Sequence, residues 1–144
     1  MQRNGFTLVE LMVAISVMAL LTSIVTLATG AGDHQPQEAA ARFASRLAAA
    51  RDHAVLSGQP ISIWVSSSGY GFDRYAQGRW LPFAERPFEG EDWASGVKPS
   101  NPEGRQRIRF DSLGLPDRSL ELTLASDERT ASVRVLANGE VAVR

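Results

Sequence analysis

One carboxylate, Glu10, sits near the start of a long apolar run from Phe6 to Gly32. From Leu11 to Gly32 no charged residue occurs in 22 positions. A carboxylate among apolar side chains is costly unless a cation meets it, so the chemistry open to Glu10 is ion pairing with a partner brought from elsewhere. The plainer alternative is a carboxylate that stays hydrated at the edge of the run. The second candidate is the acidic group Glu85, Glu89, Glu91 and Asp92. Calcium takes six to eight oxygens, but this spacing matches no Asp-x-Asp-x-Asp-Gly loop and Arg86 sits inside it, so the group reads as a solvated loop. His34 and His53 have no third ligand near them in sequence, and no metal site is expected. There is no Gly-x-Ser-x-Gly elbow and no glycine-rich phosphate loop. No catalytic set and no cofactor site follow, and a small-molecule substrate is not expected.

Two further patterns bear on binding. Arg105, Arg107 and Arg109 recur at period two beside Phe110. On a strand they would share one face, either as a nucleic-acid stripe or as the solvent side of a half-buried sheet with Ile108 and Phe110 turned inward. With 15 basic and 16 acidic residues and a net charge of −1, the solvent reading is preferred and nucleic acid is not an expected partner. Trp80 and Phe83 read as core. Phe88 and Trp93 lie in an irregular segment and read as possible aromatic anchors for a protein partner.

The elements that must position these groups are legible in outline. The chain has 144 residues, enough for one domain of modest core beyond the apolar run. It has no cysteine, which excludes a disulfide framework and a cysteine-based zinc site. Residues 11–32 as a helix cover about 33 Å, one crossing of a hydrocarbon core roughly 30 Å thick. An ordinary secretory signal peptide would use the same ingredients, with Arg3 ahead of the run and a small-residue cut near Ala28-Thr29-Gly30-Ala31. Arg3 on one flank against Asp33 and Glu38 on the other places the C-terminal part outside the cytoplasm.

After the break Asp33-His34-Gln35-Pro36, a second helix is predicted to Ser57. Phe43, Leu47, Ala50 and Ala54 form its apolar stripe, and Gly58 its left-handed cap. The expectation is that the two helical stretches continue as one long rod with a soft joint at Gly30-Ala31-Gly32 and Pro36. The period then changes to two. Strands are predicted over 61–66, 70–75, 79–83, 108–110, 120–124, 132–137 and 140–144. Pro82 puts its strand at an edge. Asn138-Gly139 reads as a two-residue hairpin turn with both φ values positive. Residues 84–107 show no clear element. The fold class is α+β: a long N-terminal hydrophobic helix packed on a C-terminal domain of six or seven short antiparallel strands.

Gly5-Phe6-Thr7-Leu8-Val9-Glu10 resembles the type IV prepilin signature, in which a glycine precedes the cut and a glutamate follows five residues after it. The resemblance implies several things. Residues 1–5 are a leader that a prepilin peptidase removes between Gly5 and Phe6. The new amine of Phe6 is then methylated. Residues 6–32 stay on the mature protein as inner-membrane anchor and assembly helix, residues 33–58 continue it, and residues 59–144 form a pilin-like β domain with an irregular insertion at 84–107. Glu10 of one subunit would neutralise the Phe6 amine of the next.

Downstream, Ala41-Arg42-Phe43-Ala44, the run Ala50 to Ile61 and the closing Val133 to Val141 are similar to the branch that holds minor pseudopilin H of type II secretion and minor pilin T of type IV pili. The lack of cysteine and of a strong basic patch leans towards the secretion protein. What this implies is a low-copy, non-enzymatic subunit near the tip of a periplasmic pseudopilus. There it links the major pseudopilin to other minor pseudopilins and supports export of folded proteins. The alternative within the branch is a type IV minor pilin, for pilus biogenesis or DNA binding.

Overall fold

The computed structural model describes residues 8–30, 35–100, 104–127 and 129–144. The chain divides into two units, Met1–His34 and Gln35–Arg144. In the first, helix α1 runs from Leu8 to Gly30 over 23 residues. Among the described residues no helix is long and apolar enough to cross a membrane. The described side chains of α1 end at Ala19, while its backbone continues to Gly30. The expected joint at residues 31–34, with Asp33 and His34, lies outside the described residues, as do Gly5 and Phe6.

The second unit opens with α2, Gln35–Ser57. Pro36 in its first turn has a ring-fixed φ already suited to the helix, and Gly58 at φ +65° closes it. The stripe read from the sequence is the buried face: Phe43, Leu47, Ala50 and Ala54 have no exposed area. It packs on strands of two antiparallel sheets.

The first sheet contains β1 (Ile61–Val65), β2 (Gly69–Ala76), β3 (Arg79–Pro82), β4 (Glu91–Asp92) and β6 (Gln106–Phe110). Its order is β3-β2-β1-β6, with β4 also on β2. The second contains β5 (Lys98–Pro99), β7 (Leu120–Ser126), β8 (Arg129–Val135) and β9 (Val141–Val143), in the order β5-β7-β8-β9. Pro82 lies on an edge strand, where its missing N–H breaks no ladder. The two-residue period sorts the first sheet into faces. Ile63 lies opposite Phe72 and Ile108 on the buried side, while Trp64 lies opposite Gly71 and Arg107 on the other.

Two expectations are corrected. Among the described residues, 84–107 hold β4 and β5, each making a two-residue pairing, to β2 and β7, and the first two residues of β6. Pairings so short show no period in sequence. The Asn138-Gly139 turn is a three-residue loop over 137–139. Leu136 N donates to Glu140 O and Gly139 N donates to Leu136 O, both at 2.9 Å. Only Gly139 has positive φ there, +81°. This is the hairpin class in which a glycine in the left-handed region follows a tighter turn. The two-residue turn with both φ positive is Gln77-Gly78, at +55° and +76°, between the register partners Ala76 and Arg79.

Candidate functional site

Glu10 lies in the first turn of α1. A carboxylate is favoured there because the first N–H groups of a helix are unsatisfied and carry positive partial charge. What surrounds it is unusual for a surface helix. Leu8, Val9, Leu11, Met12, Val13, Ile15, Val17 and Met18 are all between 49% and 75% exposed. Positions 8, 9, 11, 12, 13, 15, 17 and 18 go right round a helix, so no polar face remains. A helix apolar on every side is a helix that gets covered, by lipid or by other helices. The one hydroxyl among the described side chains of α1 follows the same logic. Ser16 Oγ donates back to Met12 O at 2.8 Å, which satisfies it without water.

The acidic segment is organised by arginines. Glu91 Oε1 receives Arg42 Nη1 at 3.1 Å, and Glu91 Oε2 receives Arg46 Nη2 at 3.0 Å. Arg46 also donates to Glu89 O at 2.9 Å. Tyr70 Oη donates to Glu91 Oε2 at 3.1 Å. Burial of the Tyr70 phenol pushes its pKa up to about 12; Arg46 opposes the shift and Glu91 adds to it. Glu89 also meets Arg86 at 3.4 Å, and Glu85 meets Arg74 at 3.8 Å. Among the described residues no group of three or more His, Cys, Asp or Glu is placed to hold a metal ion. Arg42 and Arg46 stand one turn apart on α2, off the apolar stripe. That spacing was visible in the sequence, but nothing local announced that the acidic segment would fold back onto it.

Phe88 and Trp93 are core residues, 5% and 9% exposed, and this corrects their expected role as anchors for a partner. The Phe88 ring lies 4.7 Å from Phe83, 5.6 Å from Phe72 and 5.1 Å from His53. Trp93 packs at 4.9 Å from Tyr70 and 5.5 Å from Phe43, and its Nε1 donates to Ser66 O. The irregular segment is thus a strap whose aromatic side chains complete the domain's own core. His53 is part of that aromatic group.

Arg107 and Arg109 share the outward face of β6 and Arg105 stands just before it, with Ile108 and Phe110 fully buried behind. Arg107 pairs with Asp73 at 3.1 Å. Arg105 stacks 3.9 Å over the Trp64 ring, and Arg109 lies 5.5 Å over Trp80. The structure therefore supplies Trp64 and Trp80 as neighbours that the sequence reading did not connect to the arginines.

Set beside known proteins, residues 1–26 match the prokaryotic N-terminal methylation motif. Type II secretion system protein H of Escherichia coli (strain K12) is 36% identical over 91 residues, covering 58% of this chain and 54% of that protein. The chain spans about half the length of the curated relatives it matches. In fold it is similar to the minor pseudopilin EpsH from the type 2 secretion system of Vibrio cholerae, with TM-score 0.65, 15% identity and coverage of 76% of this chain and 96% of that one. It is also similar to the type IV minor pilin FimU of Pseudomonas aeruginosa, with TM-score 0.61, 16% identity and coverage of 77% and 89%. These two likenesses establish the pilin-like α+β fold. Residues 39–139 match the family described as Type II transport protein GspH, and with that stretch covering most of its length the chain belongs to this family.

Proposed function

We propose that the chain is a minor pseudopilin of a type II secretion system. It is a low-copy, non-enzymatic subunit that waits in the inner membrane with its β domain in the periplasm and is then drawn into a pseudopilus, supporting export of folded proteins. The observation that carries the reading is the described first half of α1, where exposed apolar side chains from Leu8 to Met18 go right round the helix and one carboxylate, Glu10, lies in the first turn. Such a surface suits lipid before assembly and sister helices after it.

In this reading a prepilin peptidase cuts between Gly5 and Phe6 and the Phe6 amine is methylated, keeping its positive charge. Glu10 of one subunit then meets the Phe6 amine of its neighbour in a low-dielectric core. Such a pair adds little net stability. A helix that slides out of register, however, leaves a charge stranded at a cost of about 3–5 kcal/mol. The pair thereby sets register. The major pseudopilin and other minor pseudopilins are the partners.

The test is Glu10→Ala in the full chain, with secretion and incorporation into sheared filaments both measured. The β domain should fold normally, while incorporation and secretion are lost. Normal secretion by this variant overturns the reading. The fold likeness to a type IV minor pilin supports a second reading as a pilus subunit. Deleting the chain separates the two, since one predicts loss of secretion and the other loss of pili.

A further inference from the structure

We propose that the outward face of the first sheet is a docking surface for a carboxylate-bearing patch on a neighbouring protein subunit. The face is built from Trp64, Asp73, Tyr75, Trp80 and the arginines 105, 107 and 109. Register places them together: Trp64 opposite Gly71 and Arg107, Ser62 opposite Asp73 and Arg109, and Tyr75 opposite Trp80. Tryptophan, tyrosine and arginine are the residue types that carry binding energy at protein interfaces. Here Tyr75 is 40% exposed, and both tryptophans are half-buried.

Charge says what kind of partner fits. Three arginines face outward, against two acids at the outward positions of the five strands: Asp73, and Asp92 of β4 opposite Gly69 at the far end of β2. Asp73 is spoken for by Arg107, which leaves Arg105 and Arg109 as the outward cations. A guanidinium stacked on an indole keeps its N–H groups in the ring plane free to donate sideways, and it loses little entropy when a carboxylate arrives. Arg105 is held in this way at 3.9 Å from the Trp64 centroid, and Arg109 lies within cation–π range of Trp80 at 5.5 Å. Beside them a groove of about 230 Å³, lined among others by Trp64, Asp73, Pro82, Phe83 and Arg105, gives the surface relief. Glu89, which also lines it, is paired with Arg86.

The same geometry disfavours single-stranded nucleic acid. Binding of that class uses open aromatic faces on which bases stack. Trp64 has none. One side of its ring lies on Gly71, where an added Cβ would collide with the indole, and the other side carries Arg105. What remains is two outward guanidiniums, Arg105 and Arg109, that can donate to carboxylates. That the partner is a subunit of the same filament rests on the function proposed above; the surface itself does not.

The experiment uses the full chain in its native membrane. The photo-reactive residue benzoylphenylalanine replaces Tyr75 in one sample and Val13 of α1 in another. The Tyr75 probe should give one adduct, to an acidic region of another pseudopilus subunit. Its yield should fall about tenfold, equivalent to roughly 1.4 kcal/mol, in the Arg105→Glu/Arg109→Glu double variant. It should return when carboxylates of the mapped region are changed to lysine. The Arg105→Gln/Arg109→Gln variant, which inserts no new charge, should fall in the same direction with its melting temperature unchanged. An adduct indifferent to these changes overturns the proposal. So does silence at Tyr75 while the Val13 probe reports a filament neighbour. Silence at both sites overturns the filament reading and this proposal with it. A fluorescein-labelled oligothymidylate added to the detergent-solubilised full chain is the control. Salt-sensitive binding that the double variant loses would assign the face to nucleic acid and overturn the proposal.

Discussion

Arg46 Nη2 in α2 lies 3.0 Å from Glu91 Oε2 in β4, and the same guanidinium reaches Glu89 O. The pair ties the strap 84–100 to the helix on which both sheets pack. Its side chains are 19% and 29% exposed, so water screens them only in part. Arg134–Glu121 at 2.8 Å is geometrically as good but is 41% and 58% exposed, and it joins two neighbouring strands already in register.

These two pairs should respond differently to neutralisation. Glu91→Gln removes the charge that Arg42, Arg46 and the Tyr70 hydroxyl all address, and should cost about 1–2 kcal/mol. Glu121→Gln should change stability by no more than about 0.5 kcal/mol. Thermal unfolding of the full chain in detergent reads both, at roughly 4 °C per kcal/mol for a domain of this size. Equal shifts would remove the strap from the list of things the ion pair holds.

Tyr70 predicts an alkaline transition. Its phenol is held protonated up to about 12 by burial, against an ordinary value of 10.0. Below pH 10 both folded and unfolded chains keep the proton, and the contribution to stability is fully present. Between pH 10 and about 12 the unfolded chain releases its proton while the folded chain retains it, so stability falls as pH rises through that window. The chain has two tyrosines, so in Tyr75→Phe the absorbance titration reports Tyr70 alone. A midpoint near 10 in the folded protein would contradict the buried, Glu91-bonded phenol.

What the sequence could disclose depended on how far a residue's partner lay along the chain. The α2 stripe at Phe43, Leu47, Ala50 and Ala54 was legible because a helix repeats its demand every turn, and a strand every second residue. Ile61, Ile63 and Val65 follow the same rule. The strap was not legible. Its order comes from Phe88 and Trp93 reaching rings contributed by residues 43 to 83, and from β4 and β5 borrowing two residues each of other strands' edges. The turns divided on similar grounds. Asn-Gly is the better local candidate for paired positive φ, yet Gln77-Gly78 adopts it because β2 and β3 meet there with two residues to spare. On α1 the sequence supplied the surface and the carboxylate. The outward face of the first sheet was half legible: period two aligned the arginines, but the tryptophans beneath them come from other strands.

Gly139 and Gly58 are both in the left-handed region, at φ +81° and +65°, but their surroundings differ. A Cβ at Gly58 meets nothing within 4 Å, whereas one at Gly139 would run into the backbone oxygen of Gly114 and lies 3.1 Å from Arg51 Nε. Gly58→Ala should therefore cost only the conformational term, about 1–2 kcal/mol. Gly139→Ala adds a backbone collision that no rotamer relieves, and should cost more than about 3 kcal/mol or shift the β8–β9 loop. Urea unfolding gives the ranking, and the reverse order would refute the contact between the 111–117 loop and the 137–139 loop.

Phe88 decides whether the strap serves the core or a partner. Its side chain is 5% exposed and packs against Phe72, Phe83 and His53. Phe88→Ala opens a cavity that rings held by a helix and a sheet cannot close, and should cost about 3–5 kcal/mol. Leu113 has the opposite environment, 73% exposed on the loop after β6, so Leu113→Ala should stay within about 0.5 kcal/mol. An anchor for a partner would behave the other way: truncating Phe88 would leave the melting temperature of the chain alone and weaken only its association. The two measurements together separate the cases. Loss of filament incorporation by Phe88→Ala at unchanged stability would return that residue to an interface. A lowered melting temperature with proportionate loss of incorporation places the strap inside the domain's own folding unit. There its work is to close the aromatic core under α2 and to present the outward sheet face in fixed register.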